Sequence, residues 1–214
     1  HPTPLMGRYQ VMHLDFSQIG GTIDELEKKF DEYMCSRLNA FVRKYAEDYP
    51  DYFIKEFFEC NTYTGKLIQI TTTANELRIP MYLIIDEYDN FTNVVLSEKG
   101  EEVYHKMTHA EGFYRDVFKK FKGTFERIFF TGVSPVTLDD LTSGFNIGWN
   151  ISTKHAFDKM LGFSTEEVRE LFTYYKEVGK LSAKADIEAM IEEMKPWYDN
   201  YCFAKECLKD DNRV

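Results

Sequence analysis

The chain has 214 residues, of which 43% are hydrophobic and 16% aromatic, and its formal net charge is -10 at pH 7. This length and apolar content suffice for a buried core and exclude a disordered chain. The acidic excess disfavours broad contact with a nucleic-acid backbone, and no apolar run reaches the roughly 18 residues that a membrane helix requires. The four cysteines show no CxxC spacing, which predicts a cytoplasmic protein without structural disulfides or zinc.

The N-terminal part of the sequence has a strand pattern followed by a long helix pattern. Residues 9–17 combine apolar and β-favouring side chains and predict a strand that ends before Gly20 and Gly21. Thr22 and Glu25 then have the spacing of a capping box. The helix predicted after this box has apolar residues at steps of three and four, namely Ile23, Leu26, Phe30, Met34, Leu38, Phe41 and Tyr45.

Five further elements are predicted in the middle of the sequence. Residues 51–60 and 64–78 should form two helices. The continuous apolar run at 80–85 is typical of a strand that is covered on both faces in a parallel sheet. A helix with one apolar side and a strand at 127–131 follow. The inward residues are expected to be Phe53, Phe57 and Phe58 in the first of these helices and Phe113, Val117, Phe118 and Phe121 in the last.

This order of elements predicts an α/β protein. Strands that alternate with helices pair in parallel through right-handed crossovers. From about residue 150 only helices are predicted, and Ser164 with Glu167 forms a second capping box. The apolar residues of the two C-terminal helices are Val168, Leu171, Phe172 and Tyr175, then Ile187, Met190, Ile191 and Met194. We therefore expect an α/β core at 1–149 and a small helical subdomain at 150–214.

Asp86 and Glu87 directly follow the apolar strand. Phosphoryl transfer requires a carboxylate associated with Mg²⁺ and a second group that orients or deprotonates the attacking water. Two adjacent acids at the carboxyl edge of a parallel sheet, where ligands bind in open α/β folds, supply both. The alternative interpretation is a pair of solvated carboxylates in an ordinary strand-to-loop turn.

Two more residues are candidates at the same edge. Asp89 either joins a cofactor-binding cluster of carboxylates with Asp86 or caps the following loop. Thr131 ends the next strand at about the height of Asp86, where its hydroxyl could meet a γ-phosphate or the attacking water. Its alternative role is that of an ordinary strand-end residue before Gly132.

Two apparent motifs lack residues that their signatures require. Residues 64–66 (TGK) do not fit a phosphate loop, because Cys60 stands where G-x-x-x-x-G-K-[ST] needs Gly and Leu67 where it needs Ser or Thr. His105 and His109 have the i, i+4 spacing of metal ligands but lack the Glu of H-E-x-x-H. We interpret both as surface histidines.

Six segments, in order from residue 9 to 203, resemble the AAA-ATPase-like family of P-loop proteins, which are often fused to a PD-(D/E)xK nuclease-like domain. The segment MYLIIDEYDNF at 81–91 is similar to the family's hhhIDEYDxP, which includes the Walker B acid. The others are YQVMHLDFS at 9–17, FFTGVS at 129–134, LTSGFN at 141–146, GFSTEEV at 162–168 and WYDNYCF at 197–203.

The resemblance implies ATP and Mg²⁺ as ligands. Asp86 would be the acid that holds Mg²⁺ through water, Glu87 the catalytic base and Thr131 a sensor-like catalytic residue. The family's Gly-rich phosphate loop and its nuclease-like part are both missing from the sequence. We therefore expect the middle of a longer ATPase, inactive by itself, that couples its nucleotide state to a protein partner or an attached effector domain. The alternative is a degenerate NTPase fold that serves as an interaction module without catalysis.

The resemblance also implies the order of strands. The three strands should lie in the order 9–16, 81–86 and 127–131, all parallel, in an incomplete three-layer core of the P-loop NTPase type. The last strand should then form an edge that is open, covered by the chain termini or paired with a neighbour.

Overall fold

A computed structural model describes residues 3–19, 23–90, 113–133, 149–198 and 204. The chain divides into two compact units, His1–Gly148 and Trp149–Val214. The first unit contains all strands of the described residues, and the described part of the second has helices only. The chain is therefore a mixed α/β protein.

The first unit is built on a parallel sheet of three strands: β1 (Gln10–Asp15), β2 (Met81–Asp86) and β3 (Arg127–Phe130). Strand β2 lies in the middle and pairs in parallel with both neighbours. Within the described residues no strand pairs with the outer edge of β3. The predicted order and the parallel pairing are thus confirmed, and among the described residues the last strand lies at the edge.

Four α-helices accompany the sheet in the described part of this unit: α1 (Ile23–Lys44), α2 (Asp51–Glu59), α3 (Tyr63–Leu77) and α4 (Phe113–Thr124). All four coincide with predicted helices. The prediction that Phe58 points inward is wrong, because Phe58 is 37% exposed. Adjacent residues differ by about 100° around a helix axis, so burial of Phe57 leaves Phe58 at the rim. The predicted capping box at Thr22 and Glu25 lies partly outside the described residues.

A single apolar core connects the sheet to these helices. Strand β2 buries every second side chain completely or almost so, and the strand residues between them are half-buried. This burial agrees with the continuous apolar sequence of the strand. The largest fully buried side chains include Phe16, Phe30, Phe57, Tyr114, Phe118 and Phe121.

Side chains of α1, and of Tyr45 directly after it, occupy the outer edge of β1. The hydroxyl oxygen of Tyr45 accepts the N–H of Val11 at 2.9 Å, and that of Tyr33 accepts the N–H of Asp15 at 2.7 Å. The guanidinium group of Arg37 donates to the carbonyl oxygen of His13 at 3.0 Å. Since these bonds use backbone groups that another strand would need, α1 blocks strand addition at this edge.

The second unit has two α-helices among its described residues, α5 (Thr165–Glu177) and α6 (Ile187–Met194). The predicted capping box at the start of α5 is confirmed: Glu167 N–H donates to the Ser164 hydroxyl oxygen, and the Glu167 carboxylate accepts from Ser164. The two helices share a small apolar cluster around Val168 and Ile191. Leu171 and Tyr175 were expected on the apolar face of α5 but are 39% and 40% exposed, so they do not belong to this cluster.

The helices of the described residues include none with the length and apolarity needed to cross a membrane.

Candidate functional site

The carboxyl ends of the three strands bring together side chains that are distant in sequence. Asp15 ends β1 and is the register partner of Asp86, which ends β2. Thr131 directly follows β3, and its hydroxyl donates a hydrogen bond to Oδ1 of Asp86. Two acids and one hydroxyl from three strands thus share one edge of the sheet.

Asp86 is exposed, and one of its two carboxylate oxygens accepts hydrogen bonds. Oδ1 accepts from the Thr131 hydroxyl and from the backbone N–H of Glu87 at 3.1 Å. No hydrogen bond to Oδ2 is formed by the described residues. Mg²⁺ at phosphate sites is usually held by one or two carboxylates together with waters and phosphate oxygens. The Asp86 carboxylate fits such a role, although no group of three or more His, Cys, Asp or Glu residues in the described part of the chain could hold a metal by itself.

Glu87 lies at a sharp turn immediately after β2. Its backbone φ is 53°, in the left-handed region that a non-glycine residue adopts only at a cost of about 1–2 kcal/mol. The turn is closed by a bond of 3.0 Å from the N–H of Asn90 to the carbonyl oxygen of Glu87. Glu87 itself is half-buried, beside Asp86 in sequence and at the carboxyl edge of the sheet.

Two backbone hydrogen bonds hold Thr131 in place. Its N–H donates to the carbonyl oxygen of Ile85 at 2.8 Å, and its carbonyl oxygen accepts the N–H of Tyr88 at 3.1 Å. These two bonds continue the β2–β3 pairing past the end of β3. They place the Thr131 hydroxyl against Asp86.

Asp89 is fully buried, unlike Asp86. Its two carboxylate oxygens accept the backbone N–H of Val133 at 3.2 and 3.1 Å. Residues 86 and 89 therefore differ in environment although both are aspartates of one short turn. The predicted role of Asp89 in cofactor binding stays a prediction, and its burial favours a structural role at the turn.

Asp15 is a residue of this edge that the sequence reasoning did not single out. Its carboxylate accepts from the Ser17 hydroxyl at 2.6 Å, from the Ser17 N–H at 3.0 Å and from the Gln18 side chain at 2.9 Å. The bonds from Ser17 and Gln18 lower the pKa of Asp15 below its ordinary value, so it stays ionised beside Asp86. A signal was available, since an acid at the end of a strand expected next to β2 must lie near Asp86.

The rejected motifs are explained by the structure as far as it describes them. Residues 64–66 lie in the first turn of α3, and the ammonium group of Lys66 is buried and bonded to the carbonyl oxygen of Phe57. Cys35 and Cys60 are free thiols. His105 and His109 lie outside the described residues.

Comparison with curated proteins gives no match to this chain, and comparison with solved structures gives none either. A family model described as "Predicted AAA-ATPase" matches residues 1–142. This match spans all three strands, the turn with Asp86 and Glu87, and Thr131. The chain belongs to the AAA-ATPase-like family.

Proposed function

We propose that this chain supplies the acids of an ATP-hydrolysing site at the carboxyl edge of its sheet. The observation that carries the proposal is the hydrogen bond from the Thr131 hydroxyl to Asp86, which joins two neighbouring strands beside Asp15. Membership of the AAA-ATPase-like family supports the same chemistry. The substrates are ATP and water, and Mg²⁺ is the expected cofactor.

Each residue has a distinct role in this proposal. Asp86 would hold the Mg²⁺ through its exposed carboxylate. Bound Mg²⁺ would offset the negative charge of the phosphate oxygens. Glu87 orients the attacking water and accepts its proton. The Thr131 hydroxyl, which is hydrogen-bonded to Asp86, acts as a sensor-like residue. Positioning and electrostatic stabilisation are the main contributions that a protein makes to phosphoryl transfer.

The sequence lacks the motif that normally binds the phosphate groups of ATP. Backbone N–H groups of a Gly-rich loop and a lysine normally surround the β- and γ-phosphates, and no G-x-x-x-x-G-K-[ST] is present. We place the strand that would carry such a loop at the outer edge of β3, which pairs with no described strand. This edge lies next to Thr131, so the added loop would meet the acids across the end of β3.

The division of labour along the chain is part of the same proposal. The core at 1–149 would hold the nucleotide, and the helical part at 150–214 would act as a lid-like subdomain. Nucleotide state would be passed to a protein partner or an attached effector domain, in the cytoplasm. The alternative function is that of an interaction module without catalysis.

The test uses the natural polypeptide that contains this sequence. Glu87→Gln should keep binding of Mg-ATP and reduce the rate of hydrolysis by about 10²- to 10⁴-fold, because an amide does not take the proton of water. Asp86→Ala should also weaken the Mg²⁺-dependent part of binding. Glu76→Gln is the matched control, because Glu76 is an exposed residue of α3, and it should change neither quantity.

The outcomes separate the two functions. Hydrolysis by Glu87→Gln at the parental rate would show that Glu87 is not the base. Binding of a partner that is unaffected by Glu87→Gln and Asp86→Ala, in a polypeptide without ATP hydrolysis, would favour the interaction module.

A further inference from the structure

We propose that Asp89 is a positioning residue: its buried carboxylate holds the turn at Gly132 and Val133 and thereby fixes Thr131 against Asp86. The effect on turnover rests on the proposed function, but the effect on the geometry of the turn does not. We call the contact between Asp89 and this turn the turn latch.

The latch is built from a buried carboxylate and an exposed loop. Asp89 is 0% exposed, and both of its oxygens accept the N–H of Val133, whose own side chain is 81% exposed. A buried carboxylate is strongly destabilising unless it is hydrogen-bonded. The N–H of Val133 is therefore fixed by the interior of the protein, although the residue lies at the surface.

Gly132 makes this approach possible. A Cβ atom at this position would lie 2.5 Å from Oδ1 of Asp89 and 2.5 Å from Cε1 of Tyr88. Real Cβ atoms do not approach other heavy atoms so closely, so a larger residue would push the turn away from Asp89. Glycine is required here because the backbone lies close to the side chains of Tyr88 and Asp89, and not because of an unusual φ.

The latch acts on Thr131 through the covalent chain. Thr131 immediately precedes Gly132, and its carbonyl oxygen accepts the N–H of Tyr88, one residue before Asp89. Residues 88 and 89 thus bind residues 131 and 133 through two adjacent contacts. With the Asp89 contact removed, the chain after Thr131 is held by fewer bonds, and the Thr131 hydroxyl loses its fixed distance from Asp86.

The geometry is tested on the chain itself by amide hydrogen exchange at Thr131, whose N–H is bonded to Ile85. Asp89→Asn keeps the volume but replaces one acceptor oxygen by an NH₂ group. Exchange at Thr131 should become about 10-fold faster or more, since hydrogen bonds to ionised groups are among the stronger ones. The amide of Leu83 in the central strand should keep its rate, which shows that the fold is retained. Asp116→Asn, in an exposed pair with Lys120, should leave both rates unchanged.

A second pair of variants changes the other partner. Val133→Pro removes the N–H that is donated to Asp89 and leaves the Asp89 side chain intact. A proline restricts the backbone of the residue before it, and Gly132 accepts this restriction more readily than a larger residue would. Val133→Ala keeps the N–H at the same exposed position. Exchange at Thr131 should be faster in Val133→Pro and unchanged in Val133→Ala. This pair decides the question if Asp89→Asn fails to fold.

Turnover in the natural polypeptide gives the functional test. Asp89→Asn should lower kcat by about 10-fold in the parent but by less than about 2-fold when Thr131 is already alanine, because residues that act through one another are not additive. An equal loss in both backgrounds, or an unchanged exchange rate at Thr131 in both Asp89→Asn and Val133→Pro, would overturn the proposal. A polypeptide without ATPase activity would count against the proposed function alone. The exchange rates at Thr131 would still test whether Asp89 holds the turn.

Discussion

The ammonium group of Lys66 donates a hydrogen bond of 2.7 Å to the carbonyl oxygen of Phe57 and lies 4.2 Å from the centre of the Phe57 ring. The side chain is 3% exposed, and burial lowers the pKa of the ammonium group. Lys66 thus joins the start of α3 to the end of α2. A lysine engaged in this way is not available to a phosphate group.

Lys66→Ala should therefore reduce stability rather than nucleotide binding. The loss of buried methylenes and of the bond to Phe57 should lower the free energy of unfolding by about 2–4 kcal/mol. Lys66→Met, which keeps the apolar stem, should cost about 1 kcal/mol or less, because it also removes the cost of burying a charged group. Urea denaturation of the chain measures both. Lys28→Ala is the control, since its side chain is 79% exposed, and it should change stability by less than about 0.5 kcal/mol.

A Lys66→Met variant of the natural polypeptide should still bind Mg-ATP like the parent. A loss of binding at unchanged stability would mean that residues 64–66 contact phosphate after all.

The chain alone should not bind ATP measurably. The carboxyl edge of the sheet presents the acidic side chains of Asp86 and Glu87 beside Thr131. The described residues contain no loop of N–H groups with a lysine that could contact the β- and γ-phosphates. Titration calorimetry with Mg-ATP should show no heat of binding. A micromolar dissociation constant would contradict this expectation and would reveal a phosphate site elsewhere in the chain.

The edge of β1 gives a prediction about stability. Tyr45→Phe removes the hydroxyl group that accepts the N–H of Val11, so the free energy of unfolding should fall by about 0.5–1.5 kcal/mol. Tyr52→Phe is the matched control, because Tyr52 is 59% exposed and should lose almost nothing. Thermal unfolding of the two variants checks the difference. Equal melting temperatures would mean that a water molecule accepts the N–H of Val11 as well as the Tyr45 hydroxyl does.

Much of the fold could be predicted because its signals are local. The continuous apolar run of β2 and the three- and four-residue spacing in α1 each identify an element without tertiary information. The exposure of Phe58 could not be read from the same pattern, because it depends on how far the core extends around α2. Its ring lies beside Arg43 instead, with the guanidinium carbon 5.3 Å from the ring centre.

The candidate site was predictable only in part. Asp86, Glu87 and Thr131 were found because strand ends of a parallel sheet share one edge. The environments of Asp86 and Asp89 could not be distinguished, since both are aspartates in one turn and burial is a tertiary property. Nor does the sequence signal the left-handed backbone of Glu87, because the turn has no glycine at that position. Thr131 and Asp89 become linked only when the turn after β3 folds back onto the turn after β2.

Cys35 gives a prediction about pH. Burial, and then the neighbouring Asp31 carboxylate, raise the pKa of its thiol to about 11. The protonated thiol is thus favoured in the folded chain, so its contribution to stability is present below the ordinary thiol pKa of about 8.5 and is lost as the pH rises towards 11.

At pH 8 only about one Cys35 in a thousand is then a thiolate, compared with roughly one in four for an unperturbed cysteine. Iodoacetamide, followed by peptide-resolved mass spectrometry, should label Cys35 about 100-fold more slowly in the folded chain than in urea. Asp31→Asn keeps an oxygen for the N–H of Tyr63 and removes the negative charge, so it should speed the labelling. Equal rates in the folded chain and in urea would contradict the raised pKa, because the thiolate is the nucleophile in this reaction.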